Sequence, residues 1–225
     1  MKFEKKKVIL FDLDGTLIDS VPDLASAVNA MLTELGHTPF EEATIRYWVG
    51  NGAQMLVSRA LSGTTEVDPS LDENRIQNAL ELFFAYYSKN LSQHTTLYPR
   101  VKETLRTLHA RGYRLAIVTN KPYAFVEPIL KVLGIASLFE FWIGGDSLSK
   151  KKPDPLPLLH AAQAMETEII SCLMVGDSKN DILAAKASSM ECVGVTYGYN
   201  YGENIDYYEP DVVLDDFGGL LEFLP

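Results

Sequence analysis

Several polar residues of this chain could do chemistry, and each group follows a short apolar run. The first is VILFDLDGTLIDS, residues 8–20, in which Asp12 and Asp14 stand one residue apart directly after Val8 to Phe11. Gly15 permits an unusual turn there, and Thr16 can bond the local backbone. Alone, Asp-x-Asp-Gly fits a calcium loop or a simple turn. The calcium pattern would need further ligands and a closing Glu near position 23. That position is Asp23, and the intervening Leu17 and Val21 fit poorly.

A second carboxylate group lies in LMVGDSKND, residues 173–181, where Gly176 and Asp177 end an apolar run and Asp181 follows four residues on. Asp181 alone could be a first-turn carboxylate stabilised by a helix dipole. Four carboxylates in one cleft would repel each other without a cation, and oxygen ligands of this kind favour Mg²⁺. Two further segments could meet an anion. In YRLAIVTNK, Thr119 ends an apolar run and is followed by Asn120 and Lys121; a hydroxyl with adjacent backbone N–H groups can hold phosphate oxygens. In SLSKKKPDP, residues 147–155, one lysine of three could do so on a loop stiffened by Pro153 and Pro155. Separately, the first is an ordinary turn opening and the second an ordinary solvated lysine run.

These groups need elements that bring them together. Apolar runs at Val8 to Phe11, Leu115 to Val118, Phe141 to Ile143, Cys172 to Val175 and Cys192 to Val195, with a weaker one at Val212 to Leu214, suit strands buried on both faces. Helical patterns separate them. Val126, Ile129, Leu130 and Leu133 share a face ended by Gly134; Leu158, Leu159, Ala162 and Met165 form another; Ile182, Ala185 and Lys186 begin a third, with Ser178 near its N-cap. This alternation from about residue 99 onward predicts right-handed βαβ crossovers in an α/β, doubly wound, Rossmann-like parallel sheet. Ligands of such sheets bind beyond the carboxyl ends of the strands, where all four polar groups fall.

Residues 20–95 break the pattern and show no convincing strand. Val21, Leu24, Ala25, Val28, Leu32 and Leu35 predict one amphipathic helix; Ile76, Ala79, Leu80, Phe83, Tyr87 and Leu91 predict a longer one. Between them lie a turn at Trp48 to Ala53 and a short helical pattern at Met55 to Leu61. The expectation is a core of residues 1–19 and 96–225 with a small all-helical cap, residues 20–95, inserted after the first strand. The crossings fall near Ser20 and near Thr95 to Pro99.

Bulk properties narrow the partners. Thirty acidic against 20 basic residues give a net charge of −10, which argues against a nucleic-acid surface but not against a small anion bound by a local cation. No stretch approaches a membrane helix, and the apolar run after Lys5, Lys6 and Lys7 is too short for a signal peptide. The lysines read as a solvated lead-in. Cys172 and Cys192 read as reduced core thiols of a cytoplasmic protein. His37, His94, His109 and His160 show no ligand spacing.

In this order the four motifs resemble those of the haloacid dehalogenase superfamily, most of whose members are phosphatases, and the resemblance covers essentially the whole chain. Within it, VTNKP, KKPDPLPLL, VGDSKNDILAAKA and TYGYNYGENID are most similar to the bacterial branch acting on 2-phosphoglycolate. The resemblance implies Asp12 as nucleophile and Asp14 as general acid, then base. It implies Thr119, Asn120 and Lys152 as phosphate ligands. Mg²⁺ would be held by Asp12, Asp177 and the backbone carbonyl of Asp14, with Asp181 supporting the metal shell or orienting Lys152. Asp14 favours phosphoryl transfer, because the dehalogenases lack this acid and need no metal.

Substrate choice is less determined. The Gly50-Asn51-Gly52 turn could offer N–H groups to a small carboxylate and Arg59 could pair with one; a plain turn and a surface arginine explain them equally. Lys121 sits near phosphate or is merely exposed. Asp19 and Ser20 read as hinge residues or helix caps. The leading expectation is hydrolysis of 2-phosphoglycolate, a by-product of metabolism or DNA repair, by a monomer or homodimer. Alternatives are the same mechanism on a sugar phosphate, nucleotide or pyrophosphate, a phosphomutase, or a retired enzyme serving as a binding module.

Overall fold

The structure is a computed structural model describing residues 3–225; the lead-in residues Met1 and Lys2 lie outside it. In chain order the elements are β1 (Val8–Phe11), β2 (Ile18–Asp19), α1 (Val21–Glu34), α2 (Glu42–Arg46), α3 (Ala53–Ser62), α4 (Glu73–Lys89), β3 (Thr96–Leu97), α5 (Val101–Ala110), β4 (Arg114–Val118), α6 (Tyr123–Leu133), β5 (Phe141–Ile143), α7 (Leu156–Ala164), β6 (Cys172–Gly176), α8 (Lys179–Ala187), β7 (Glu191–Val195) and β8 (Val212–Leu214).

Six strands form one sheet in the order β5-β4-β1-β6-β7-β8, and every neighbouring pair is parallel. The strands are short and almost wholly apolar because both faces are covered. Side chains alternate between them. Ile9, Phe11, Leu115, Ile117, Leu173 and Val175 face the layer containing Val101, Leu105, Val126 and Ile129 from α5 and α6. Val8, Leu10, Ala116, Val118, Cys172 and Met174 face Leu158, Ala161, Ile182 and Ala185 from α7 and α8. The central strand β1 lies between β4 and β6. Asp12, Thr119 and Asp177 are therefore the residues that follow three adjacent strand ends.

Helices α1 to α4 gather a separate apolar cluster around Trp48, Phe83 and Tyr87. α4 ends at Lys89 with Asn90 as its C-cap, so Leu91, expected on that helix, lies beyond it. At the crossings β2 pairs antiparallel with β3, Ile18 opposite Leu97 and Asp19 opposite Thr96. Two residues a side are too few to leave a periodic signal in sequence. Asp23, buried in α1, accepts hydrogen bonds from the backbone N–H groups of His94 and Thr95 and from the Thr95 hydroxyl, the last at 2.6 Å. One carboxylate thus ties the outgoing crossing to the returning one.

The lysine lead-in departs from expectation. Lys5 and Lys7 are exposed, but Lys6 is buried: its Nζ donates to the Ile170 carbonyl at 2.8 Å and pairs with Glu191 at 2.5 Å. A long apolar stem lets this lysine lie under the starts of the central strands while its charge finds a partner. No described helix is long and apolar enough to cross a membrane.

Candidate active site

β1 delivers Asp12 to the centre of the strand-end crevice. The Asp12 N–H continues the ladder to the Val175 carbonyl at 3.0 Å, and its Oδ1 accepts from the Leu13 N–H at 2.7 Å. The chain then turns back on itself, with the N–H groups of Thr16, Leu17 and Ile18 all donating to the Leu13 carbonyl. Gly15 sits at φ +93, and a β-carbon there would lie 2.2 Å from Asp177 Oδ2. Only glycine combines that backbone with that approach. Thr16, fully buried, donates to Asp177 Oδ1 at 2.6 Å, and the Tyr199 N–H donates to Asp177 Oδ2 at 2.6 Å.

Lys152 is the one buried member of its lysine run; Lys150 and Lys151 are exposed. Its ammonium has three N–H donors and three acceptors: the Val118 carbonyl at 2.5 Å, Asp181 Oδ1 at 2.6 Å and Asp12 Oδ1 at 3.1 Å. Burial by itself would lower this ammonium's pKa; Asp12 and then Asp181 outweigh it and hold the pKa above its ordinary value. Asp181 is completely buried, and its second oxygen accepts from the Ser178 N–H and hydroxyl. Both of its oxygens are thus engaged, one of them in orienting Lys152.

The carboxylates of Asp12, Asp177 and Asp181 bring oxygens within 4.8 Å of one another. Burial pushes the Asp12 carboxyl up to about 6, with Lys152 pulling it back and Asp181 adding to the rise. Burial, then Asp181 and Asp12, push Asp177 well above the usual carboxylate range. Charge counting gives the same answer. When ionised, these three carboxylates face the single ammonium of Lys152, so two negative charges remain uncompensated. An all-oxygen donor set with that deficit suits a hard divalent cation.

Asp14 is turned away from this group. Its Oδ1 accepts from the Ser20 hydroxyl at 2.6 Å, and both oxygens meet Lys121 Nζ, at 3.1 and 3.2 Å. Lys121 is buried, not exposed, and lies 4.9 Å from the centre of the Tyr87 ring. Asp12, Asp14, Thr119 and Lys121 floor a cavity of about 40 Å³, roofed by Leu24, Val49, Leu56, Phe83 and Tyr87 from the helical insert. That is room for about three waters, so the space between insert and core is narrow.

The remaining expected contacts divide. Thr119 is buried at the cavity floor, its hydroxyl accepting from the Lys121 N–H at 3.2 Å. The Asn120 amide donates to the carbonyls of Gly50 and Lys152, each at 3.0 Å. It binds the insert to the lysine loop. Gly50 and Gly52 line the cavity, but the turn meets the core through carbonyls: Gly50 also accepts from Asn180 at 3.1 Å, and Asn51 from Lys151 at 2.7 Å. Arg59 does not line the cavity. Its guanidinium donates to the Thr65 and Trp48 carbonyls and stacks on Tyr201. Asp19 pairs with Arg46 at 3.2 Å.

Sequence reading assigned nothing to Asn180 or the tyrosine tail. Tyr197 donates to the Thr16 carbonyl; Tyr199 donates to Asp19 and accepts from the Ser20 N–H; the Tyr201 hydroxyl accepts from Asn180. Their segment is a run of bends and a turn, with Tyr201 at φ +54, so no strand or helix period marks them in the sequence.

The chain belongs to the haloacid dehalogenase-like hydrolase family, which it matches over residues 9–195. Among its relatives, a phosphoglycolate phosphatase of Colwellia psychrerythraea is 53% identical over 98% of both chains. That of Vibrio cholerae is 48% identical over 96% of both. The crystal structure of a predicted phosphoglycolate phosphatase from Haemophilus somnus superposes with a TM-score of 0.91, at 42% identity, over 97% of each chain.

Proposed function

We propose that this chain hydrolyses 2-phosphoglycolate to glycolate and inorganic phosphate, using Asp12 as nucleophile, with Mg²⁺ held by Asp12, Asp177 and the backbone carbonyl of Asp14. The observation that carries this is the charge arrangement at the strand ends: a buried Lys152 shared by Asp12 and Asp181, with an oxygen-lined deficit beside it. The substrate follows from the names of the relatives.

A carboxylate is a weak nucleophile towards an anionic phosphate ester, so the approach must be neutralised. Lys152 does this while fixing the Asp12 carboxylate by a direct contact. When bound, the cation would supply further charge neutralisation on the transferring oxygens. Thr119 and the backbone beside Asn120 receive the phosphoryl oxygens. Asp14, held by Ser20 at the cavity floor, protonates the leaving oxygen as the phosphoryl group passes to Asp12. It then takes a proton from the water that attacks the aspartyl phosphate. Asp181 acts through Lys152.

Residues 20–95 form a cap on a core of residues 1–19 and 96–225. The space between cap and core is narrow, so cap opening would admit substrate and closure would exclude water from the first step. The working form is a cytoplasmic monomer or homodimer acting on a small metabolite.

The test is phosphate release from 2-phosphoglycolate beside a panel of sugar phosphates, nucleotides and pyrophosphate, with Mg²⁺ and with chelator. Metal-dependent preference for phosphoglycolate is expected, and Asp12→Asn should cut turnover by at least ~10⁴-fold. Preference for another ester removes the substrate; no release from any ester with metal present removes the mechanism.

A further inference from the structure

The cavity between cap and core is walled on the cap side mainly by apolar side chains and has one cation. Leu24, Val49, Leu56 and Phe83 offer a substrate no hydrogen bonds, so a hydroxyl-rich leaving group would lose its water without replacement. Arg59, the cap residue best suited by charge to a carboxylate, is bound to the Trp48 and Thr65 carbonyls outside the cavity. Lys121 is the only lysine or arginine among the lining residues. It is 5% exposed. Its ammonium lies between the Asp14 carboxylate and the Tyr87 ring. The Tyr87 hydroxyl, buried and on the same cavity, makes no hydrogen bond of good geometry and has the Lys121 ammonium as its neighbour.

From this we infer that Lys121 and the Tyr87 hydroxyl form a subsite for a carboxylate on the leaving group, and that this subsite selects short, carboxylate-bearing phosphate esters. The inference rests on the phosphatase reading above and deepens it. A buried cation keeps an anion beside it in every state. An entering substrate carboxylate takes the outer side of the ammonium, which Asp14 meets with loose contacts of 3.1 and 3.2 Å. Tyr87 supplies a neutral donor to the same group. Because Lys121 comes from the core and Tyr87 from α4 of the cap, a carboxylate bridging them also holds the cap closed over the reacting phosphate. The apolar walls make the selection sharper, since an uncharged tail leaves the ammonium without its second anion.

The experiment compares kcat/KM for 2-phosphoglycolate and for ethyl phosphate, which has the same two-carbon length and no carboxylate. Full-length protein with Mg²⁺ is used as wild type, Lys121→Met and Tyr87→Phe. The wild type should prefer phosphoglycolate. In Lys121→Met the ratio of the two constants should fall at least ~30-fold, most of it in KM, as loss of a charge-assisted contact implies. In Tyr87→Phe, which keeps the ring in its packing, the ratio should fall ~3- to 10-fold, as for one hydrogen bond. Equal losses on both esters would assign Lys121 to the chemistry common to them and overturn the subsite. Unchanged ratios in both variants would overturn it too. A wild type that hydrolyses both esters without preference sinks the subsite and leaves the phosphatase mechanism standing. A wild type that hydrolyses neither sinks phosphoglycolate as the substrate and the subsite with it, while release from another ester of the panel would leave the phosphatase mechanism standing.

Discussion

Replacing Lys152 by methionine tests the arrangement on which the site depends. The substitution keeps the apolar stem and removes an ammonium that serves three buried acceptors, the Val118 carbonyl, Asp181 and Asp12. Asp181 is wholly buried and Asp12 nearly so. Leaving buried charge without its partner costs about 3–5 kcal/mol. Urea unfolding in chelator at neutral pH should show a loss of that size. The double variant Lys152→Met, Asp181→Asn should recover part of it, because the neutral amide no longer needs a counter-charge. The pH dependence has a definite sign. Asp12 rises from 3.8 to about 6 on folding, so between those values the folded state holds more protons than the unfolded state. The contribution of Asp12 to the stability of metal-free wild type should therefore be greatest at the acid end of that window and be lost as pH rises through it. Lys152 is the largest influence lowering Asp12; without it the decline should steepen and continue to higher pH. A loss under ~1 kcal/mol, or a double variant no more stable than the single one, would refute the reasoning.

Asp23→Ala should cost about 2–4 kcal/mol and strip hydrogen-exchange protection from the N–H groups of His94 and Thr95, since this carboxylate alone is their acceptor; retained protection would contradict the tie between crossings. Burial pushes the Cys172 thiol up to about 11 and the Cys192 thiol up to about 12, so neither should react with a disulfide reagent at pH 8 until urea unfolds the chain. Cysteines introduced for Asn51 and Asn180, whose amides lie 3.5 Å apart across the cap–core contact, should suppress turnover when joined by a thiol cross-linker and restore it on release. Undiminished turnover in the joined protein would rule out cap opening as the entry step.

Much of this was legible in the chain. The sheet could be read because strands buried on both faces are nearly continuous apolar runs, and all six main strands match those runs within a residue at each end, β8 included although its run is the weakest. The strand-end polar groups could be read because a parallel sheet puts every such position on one edge. What could not be read was the partner of each polar side chain. Lys152 and Lys150 differ by two positions in a lysine run, yet one is 1% exposed and the other lies in solvent. Arg59 reads equally as an anion contact or a surface arginine, and it is bound to the Trp48 and Thr65 carbonyls.

The amino-acid order alone determined the six strands of the main sheet and that Asp12, Thr119 and Asp177 directly follow strand ends, because periodicity and turn chemistry are local. Only the tertiary structure decided that Asp181 serves Lys152, that Lys121 faces Asp14 beside the cavity, and that three tyrosines of one loop meet the turn, the crossing and α8. Those assignments join residues separated by up to 181 positions. They depend on which charges the packed layers leave without water, and no local pattern encodes that.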